Sequence, residues 1–300
     1  MPRSSPLDLA RNGQRVRVAP EIGGAIASYS LTRGAARLDL MRPAPPHAVE
    51  PSILDFACFP LVPYSSRIRN GRFRFGGRDI RLPPNFGAYP HSIHGHGWQR
   101  PWTVVAQNAD AINLEYRHPA DAWPWTYSAR QVITLDGEGL MMELSATNLS
   151  ESPMPIGLGF HPYFPRAREA RLKANVSSVW RMDDEVMPIE RVRLLADLDL
   201  PGGVALSSIT LDNGFEGWDG VARLDWPHLG IGLDLTASSL LAHRLVVYAP
   251  AAQDFFCVEP VSHMTDAFNR ADQGEPDTGM RVLEPEETVS AWMRLTPRRL

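Results

Sequence analysis

Proline sets the first constraint on this chain. There are 27 prolines and 23 glycines among its 300 residues, with proline well above its average share of roughly 5%. Proline removes a backbone donor and clashes inside a helix, and glycine weakens helix interiors. A mainly helical fold is therefore disfavoured. Between the breakers run short apolar or alternating segments: Val16 to Val18, Ala25 to Leu31, Thr103 to Ala106, Ile112 to Tyr116, Gln131 to Leu135 and Leu140 to Ala146. Further along come Ile231 to Leu235, Arg244 to Tyr248, Phe255 to Glu259 and Val289 to Leu295. Their lengths suit strands rather than helices. Many short strands without intervening helical patterns predict an all-β fold, a large antiparallel β-sandwich or a barrel. No repeat, low-complexity tract or linker divides the sequence, so residues 1–300 are expected to form a single domain.

Composition excludes several classes of function. A formal charge of −4 does not suit a chain whose main partner is nucleic-acid phosphate. The opening Met1-Pro-Arg-Ser-Ser-Pro-Leu-Asp-Leu has no apolar run of secretory length, and no stretch is long enough to span a membrane. The expectation is a soluble, cytoplasmic protein with no membrane partner. Cys58 and Cys257 lie in apolar runs, as small buried hydrophobes do. Lys173 is the single lysine, which disfavours Schiff-base chemistry, and no Walker-type Gly-Lys-Ser/Thr, G-x-S-x-G elbow or strand-borne G-x-G-x-x-G occurs.

Chemistry-bearing residues concentrate in a few segments. In Pro90-His-Ser-Ile-His-Gly-His-Gly-Trp, an extended backbone would put His94 and His96 on one side and His91 on the other. Such a trio reads as a metal site, a structural turn or a polar ligand site. No glutamate follows closely, the next acidic residue being Asp110, and Gly95 and Gly97 suggest close backbone approach, which favours a polar ligand. His161 stands before Pro162 at a predicted strand end, either as a satisfied core residue or as a catalyst. In Asp254-Phe-Phe-Cys-Val-Glu-Pro, Phe255, Cys257 and Glu259 share a strand face. A buried Glu259 would have a raised pKa suited to a general base, unless it pairs with an arginine. The stretch from Tyr64 to Phe75 predicts a hairpin turning at Asn70-Gly71. Asp212 could shape an Asx turn. Trp98, Trp123, Trp125, Trp218 and Tyr163 offer either core packing or apolar faces for a sugar.

In this order the motifs resemble those of the aldose 1-epimerase (galactose mutarotase) family. Its N-R-I-x-x-G-x-F pattern is met by Ser66-Arg67-Ile68-Arg69-Asn70-Gly71-Arg72-Phe73, its L-H-G by Ile93-His94-Gly95, and its H-x-Y-F by His161-Pro162-Tyr163-Phe164. Its D-[HN]-x-F is met by Asp212-Asn213-Gly214-Phe215, and its E-x-x-x-x-x-x-D-A-x-N by Glu259 through Asp266-Ala267-Phe268-Asn269. The resemblance implies a β-sandwich with an open sugar cleft and a small-molecule aldose as partner. It also implies interconversion of α and β anomers without metal or other cofactor. Carried over, Glu259 would take the proton from the anomeric O1 and His161 would protonate the ring oxygen O5, while His94, Arg67 and Asp212 would hold hydroxyls. A carboxylate and an imidazole titrate close enough to neutrality to exchange these duties. Ser66 in place of the family's asparagine, and Val261-Ser262 after Glu259-Pro260, leave acid and base in place and the sugar open. Neighbouring readings are a hexose-phosphate mutarotase using Arg69, Arg72 and Arg74 at the cleft rim, a non-catalytic sugar-binding module, and a metal enzyme using His91, His94 and His96. The oligomeric state cannot be read from these motifs.

Overall fold

A computed structural model describes residues 7–45, 52–167, 169–194 and 198–300. The Met1–Pro6 part of the N-terminal reading lies outside the described residues. Every apolar run picked out in the sequence falls within a strand. The strand Tyr127–Leu135 is buried at every second position, and its neighbour Leu140–Asn148 repeats the pattern. Because side chains alternate across a pleated strand, each has one apolar face, and the register of the pair follows from bringing those faces together.

These two strands lie in a nine-stranded antiparallel sheet. Its order is Thr103–Gln107, Ala111–His118, Tyr127–Leu135, Leu140–Asn148, Thr288–Arg299, Ile231–Ala237, Val221–Trp226, Arg171–Ala174 and Val204–Ala205. A six-stranded antiparallel sheet runs Tyr163–Pro165, Phe255–Pro260, Arg244–Ala249, Leu211–Glu216, Ser178–Met182 and Pro188–Arg193. A four-stranded sheet, Leu7–Arg11 to Ala36–Asp39, adds Val16, Val18 and Tyr29 to the same apolar core. Leu144 and Leu233 from the large sheet, and Leu245, Phe256 and Val258 from the six-stranded one, meet in that core. Burying each such side chain contributes about 1.5–3 kcal/mol. The fold is thus the expected β-sandwich. The one α-helix among the described residues, Ala267–Asp272, has six residues, and no helix is long and apolar enough to cross a membrane. Cys58 and Cys257 are free and buried, as expected.

One local expectation is overturned. The hairpin lies one step later than predicted: Arg72–Phe75 pairs with Arg78–Arg81 across Gly76 and Gly77, while Arg67–Ile68 pairs with Ser92–Ile93. Asn70 and Gly71 do take positive φ, 53° and 60°, but in a single 3-10 turn. The Asn70 N–H donates to His91 Nδ1 at 3.0 Å, and the Leu82 N–H donates to the Gly71 carbonyl at 2.6 Å. A two-residue hairpin needs its two arms free to pair. Here the first arm is taken by Ser92–Ile93, so the turn deflects the chain and leaves Arg67 opposite Ile93.

Candidate functional site

Within the six-stranded sheet the strand Phe255–Pro260 is buried on both faces, and the face turned from the main core builds the site. In Phe255–Pro260, Phe256 and Val258 enter the main core while Cys257 joins a second apolar cluster with Phe59, Trp98 and Tyr163. Cross-strand register then lays out rows of side chains. Asp212, Tyr248, Cys257 and Tyr163 are successive partners in one row, and Gly214, Val246 and Glu259 form the next. In the second row Val246 is the direct neighbour of Glu259, and Gly214 beyond it contributes no side chain. Above these rows is a cleft of about 500 Å³ lined by Arg67, His94, His161, Asp212 and Glu259 together with aromatic rings. That volume is in the range of small-molecule sites.

Glu259 and His161 form a buried couple at the cleft floor, with Nε2 to Oε1 at 3.3 Å and residue exposures of 3% and 7%. The His161 N–H donates to the Phe59 carbonyl at 3.0 Å. Its ring packs against Phe59 and Tyr163, with both centroid distances 4.7 Å. Burial disfavours charge on either partner. It pushes the Glu259 carboxyl well above its ordinary range, with Asp212 adding to the rise and Arg67 opposing it. It pulls the His161 imidazole down to about 3. Among the described residues no arginine forms a salt bridge with Glu259, and the group it faces is His161. Arg67 and Asp212 approach to 3.8 Å, and burial raises the Asp212 carboxyl while Arg67 opposes the rise. Asp212 lies in a strand, so the Asx-turn reading does not apply.

His94 is held as a hydrogen-bond donor. It takes φ +60°, its N–H donates to the Ser66 carbonyl at 2.9 Å, and its Nδ1 accepts from the Ser66 N–H at 2.9 Å. Burial, reinforced by His161, keeps the ring neutral by lowering its pKa well below the ordinary value. A neutral ring that accepts at Nδ1 carries its proton on Nε2. Gly95 follows with φ +67°, and a Cβ there would lie 2.4 Å from the Val62 carbonyl oxygen and from Pro63 Cδ. Asn85 clamps the segment, accepting from the Ile93 N–H at 2.7 Å and donating to the Ile93 carbonyl at 2.8 Å.

The three histidines of this segment part company. With His94 and Gly95 in the left-handed region, the alternation expected of an extended segment fails: His94 sits edge-on to His161 at 5.3 Å, whereas His96 stacks on His118 at 4.2 Å. His91 accepts from Asn70 instead, so the three do not form the metal trio considered from sequence. Of the aromatics singled out, Trp98 and Tyr163 line the cleft, and Trp123, Trp125 and Trp218 pack in the core. Arg69, Arg72 and Arg74 do not line it, and Arg69 pairs with Asp183 at 3.2 Å. The cleft arginines are Arg67 and Arg42, the latter lying over the Tyr163 ring at 4.1 Å. Arg42, Asn85, Phe59 and Tyr248 had no motif around them to mark them in the sequence.

Residues 8–296 match the family described as aldose 1-epimerase. The chain is 31% identical over 291 residues to YphB of Escherichia coli K12, a protein described as uncharacterized, covering 89% of this chain and 97% of YphB. A candidate aldose 1-epimerase from Escherichia coli K12 superposes with a TM-score of 0.88 at 29% identity, over 99% of both chains. A galactose mutarotase-like protein from Clostridium acetobutylicum shares the fold with a TM-score of 0.85 at 19% identity, over 98% of this chain and 95% of that one. Matched from residue 8 to residue 296 and aligned with nearly all of YphB, the chain belongs to the aldose 1-epimerase family.

Proposed function

We propose that this protein is a cofactor-independent aldose 1-epimerase that interconverts the α and β anomers of a free aldose. The observation that carries the reading is the buried Glu259–His161 couple at the floor of a sugar-sized cleft. Before sugar binds, burial favours the uncharged form, with the shared proton on Glu259. A pyranose whose O1–H donates to Glu259 and whose ring O5 accepts from His161 favours the other form, Glu259 ionised and His161 protonated. Glu259 then takes the O1 proton as the C1–O5 bond breaks, C1 and O1 become the aldehyde, and His161 delivers its proton to O5. Rotation about C1–C2 presents the other carbonyl face, and the same two groups run in reverse to close the second anomer. The couple ends each cycle with the proton it started with. His94 donates to a hydroxyl from Nε2, and Arg67 and Asp212 position others. The strands work as one domain, since both large sheets share the core beneath the site. Two free cysteines suit a reducing, cytoplasmic setting.

Freshly dissolved single anomers of a panel of aldoses, followed by polarimetry or NMR exchange, test the reading. The expected result is equilibration faster than the spontaneous rate for at least one free aldose, and loss of that acceleration in folded Glu259→Gln. Sugar binding in calorimetry without acceleration of any aldose would overturn it in favour of a binding module. Acceleration confined to glucose 6-phosphate, with none for glucose, would overturn it in favour of a phosphosugar enzyme.

A further inference from the structure

We infer that His96, His118 and Asp121 form a binding site for a late first-row divalent cation, zinc being the ion to test, outside the sugar cleft. One donor atom from each residue lies within 4.8 Å of the other two. His118 Nε2 is buried and faces Asp121 Oδ1 at 3.2 Å. The remaining contacts are those of oriented ligands. His118 Nδ1 meets the Tyr116 hydroxyl at 3.1 Å, His96 Nδ1 lies 3.5 Å from the Tyr127 hydroxyl, and Asp121 Oδ1 accepts from the Trp123 N–H at 2.8 Å. A second ring nitrogen held in this way, as Tyr116 holds His118 Nδ1, is the usual support of a metal ligand. Two imidazoles and one carboxylate suit zinc, and a fourth position can be filled by water because the Asp121 side chain is 49% exposed.

The two rings are 9° from parallel with centroids 4.2 Å apart, so their in-plane lone pairs run side by side rather than converging. Capture of one ion requires His96 to swing toward Asp121, and its long contact to Tyr127 is the one side-chain hydrogen bond described for it. An ion there would tie the end of the strand Ala111–His118 to the segment that carries His94. Its effect is on the anchoring of that segment rather than on proton transfer. A second cluster with suitable donors, His161, Cys257 and Glu259, is wholly buried at the proposed catalytic couple and must be distinguished from it.

The test is calorimetric titration of chelator-treated full-length protein with zinc chloride, with metal content measured after dialysis. Wild type is expected to bind one equivalent and to melt at higher temperature with zinc. Asp121→Asn is expected to lose stoichiometric binding, and Tyr116→Phe to weaken it by about tenfold. Cys257→Ser and Glu259→Gln are expected to bind as wild type does. Because Asp121 is half exposed, its variant folds even where a His118 variant fails, and it is the deciding substitution. Absence of stoichiometric binding by wild type, or binding that survives Asp121→Asn, would overturn the inference.

Discussion

Two histidine pairs, each with one carboxylate, start two residues apart in sequence and sit in opposite surroundings. His94 and His161 meet edge-on beside Glu259, and His96 and His118 lie stacked beside Asp121. The difference lies in water. Glu259 is buried with its histidine, so neither group carries charge easily, which is the setting the proposed proton transfer needs. The Asp121 side chain is half exposed, so that carboxylate is open to solvent as well as to its histidine. On the two readings proposed above, the same functional groups serve as a proton-transfer couple or as a ligand set according to how much solvent the carboxylate keeps.

The largest effect separating the two regions is on turnover. Glu259→Gln should slow catalysed anomer exchange by about 1,000-fold, in the range of a lost general acid–base group, whereas Asp121→Asn should leave it at the wild-type rate. NMR exchange measures both, and an equal loss in the two variants would erase the distinction. Gly95→Ala should damage both regions at once. At φ +67° with the Val62 carbonyl 2.4 Å from the new Cβ, the cost is about 3 kcal/mol from strain and clash. A denaturant midpoint equal to that of wild type would show that the hinge between the pairs is soft. Arg67→Met should raise KM about tenfold with little change in kcat, since a charge-assisted hydrogen bond to substrate contributes about 1.5–3 kcal/mol. A fall in kcat alone would move Arg67 from holding substrate to assisting proton transfer.

The smallest effect is on the pH dependence of stability. Glu259 has a raised pKa in the folded state, so its contribution is full below its ordinary value of 4.5 and is lost as pH rises through the folded value. His161, held down to about 3, contributes above its ordinary value of 6.5 and loses that contribution as pH falls toward 3. Between 4.5 and 6.5 the two slopes oppose each other. In Glu259→Gln the decline of the thermal midpoint on the alkaline side should disappear while the acid-side decline remains. A midpoint profile unchanged from wild type would mean that Glu259 is not the group protonated in the folded state.

The strands were legible because their signal is local. Alternation in Leu140–Asn148 and the breakers around Phe255–Pro260 need no partner to be read. The proposed site residues could be named because each sits at a strand end or in a motif, as His161 does before Pro162. What stayed hidden depends on pairing. Asn70-Gly71 has the right residues for a hairpin turn, but Ser92–Ile93 takes the arm it would have used. The outward course of His96 follows from positive φ at His94 and Gly95, and the role of His118 follows from a neighbour 22 residues away in the chain. Asn85 and Arg42 act through backbone carbonyls and ring faces, contacts that leave no mark on residue order.

The position of Thr288–Arg299 has a consequence for biosynthesis. This strand sits in the middle of the nine-stranded sheet, hydrogen-bonded to Leu140–Asn148 on one side and Ile231–Ala237 on the other. On a ribosome adding about 5–20 residues per second, the two halves of the sheet are made well before the strand that joins them. Until residues 288–299 emerge, Leu140–Asn148 and Ile231–Ala237 each present an open edge, and open edges recruit other chains. The nascent protein therefore carries two unpaired strand edges until its last strand is made and closes the sheet.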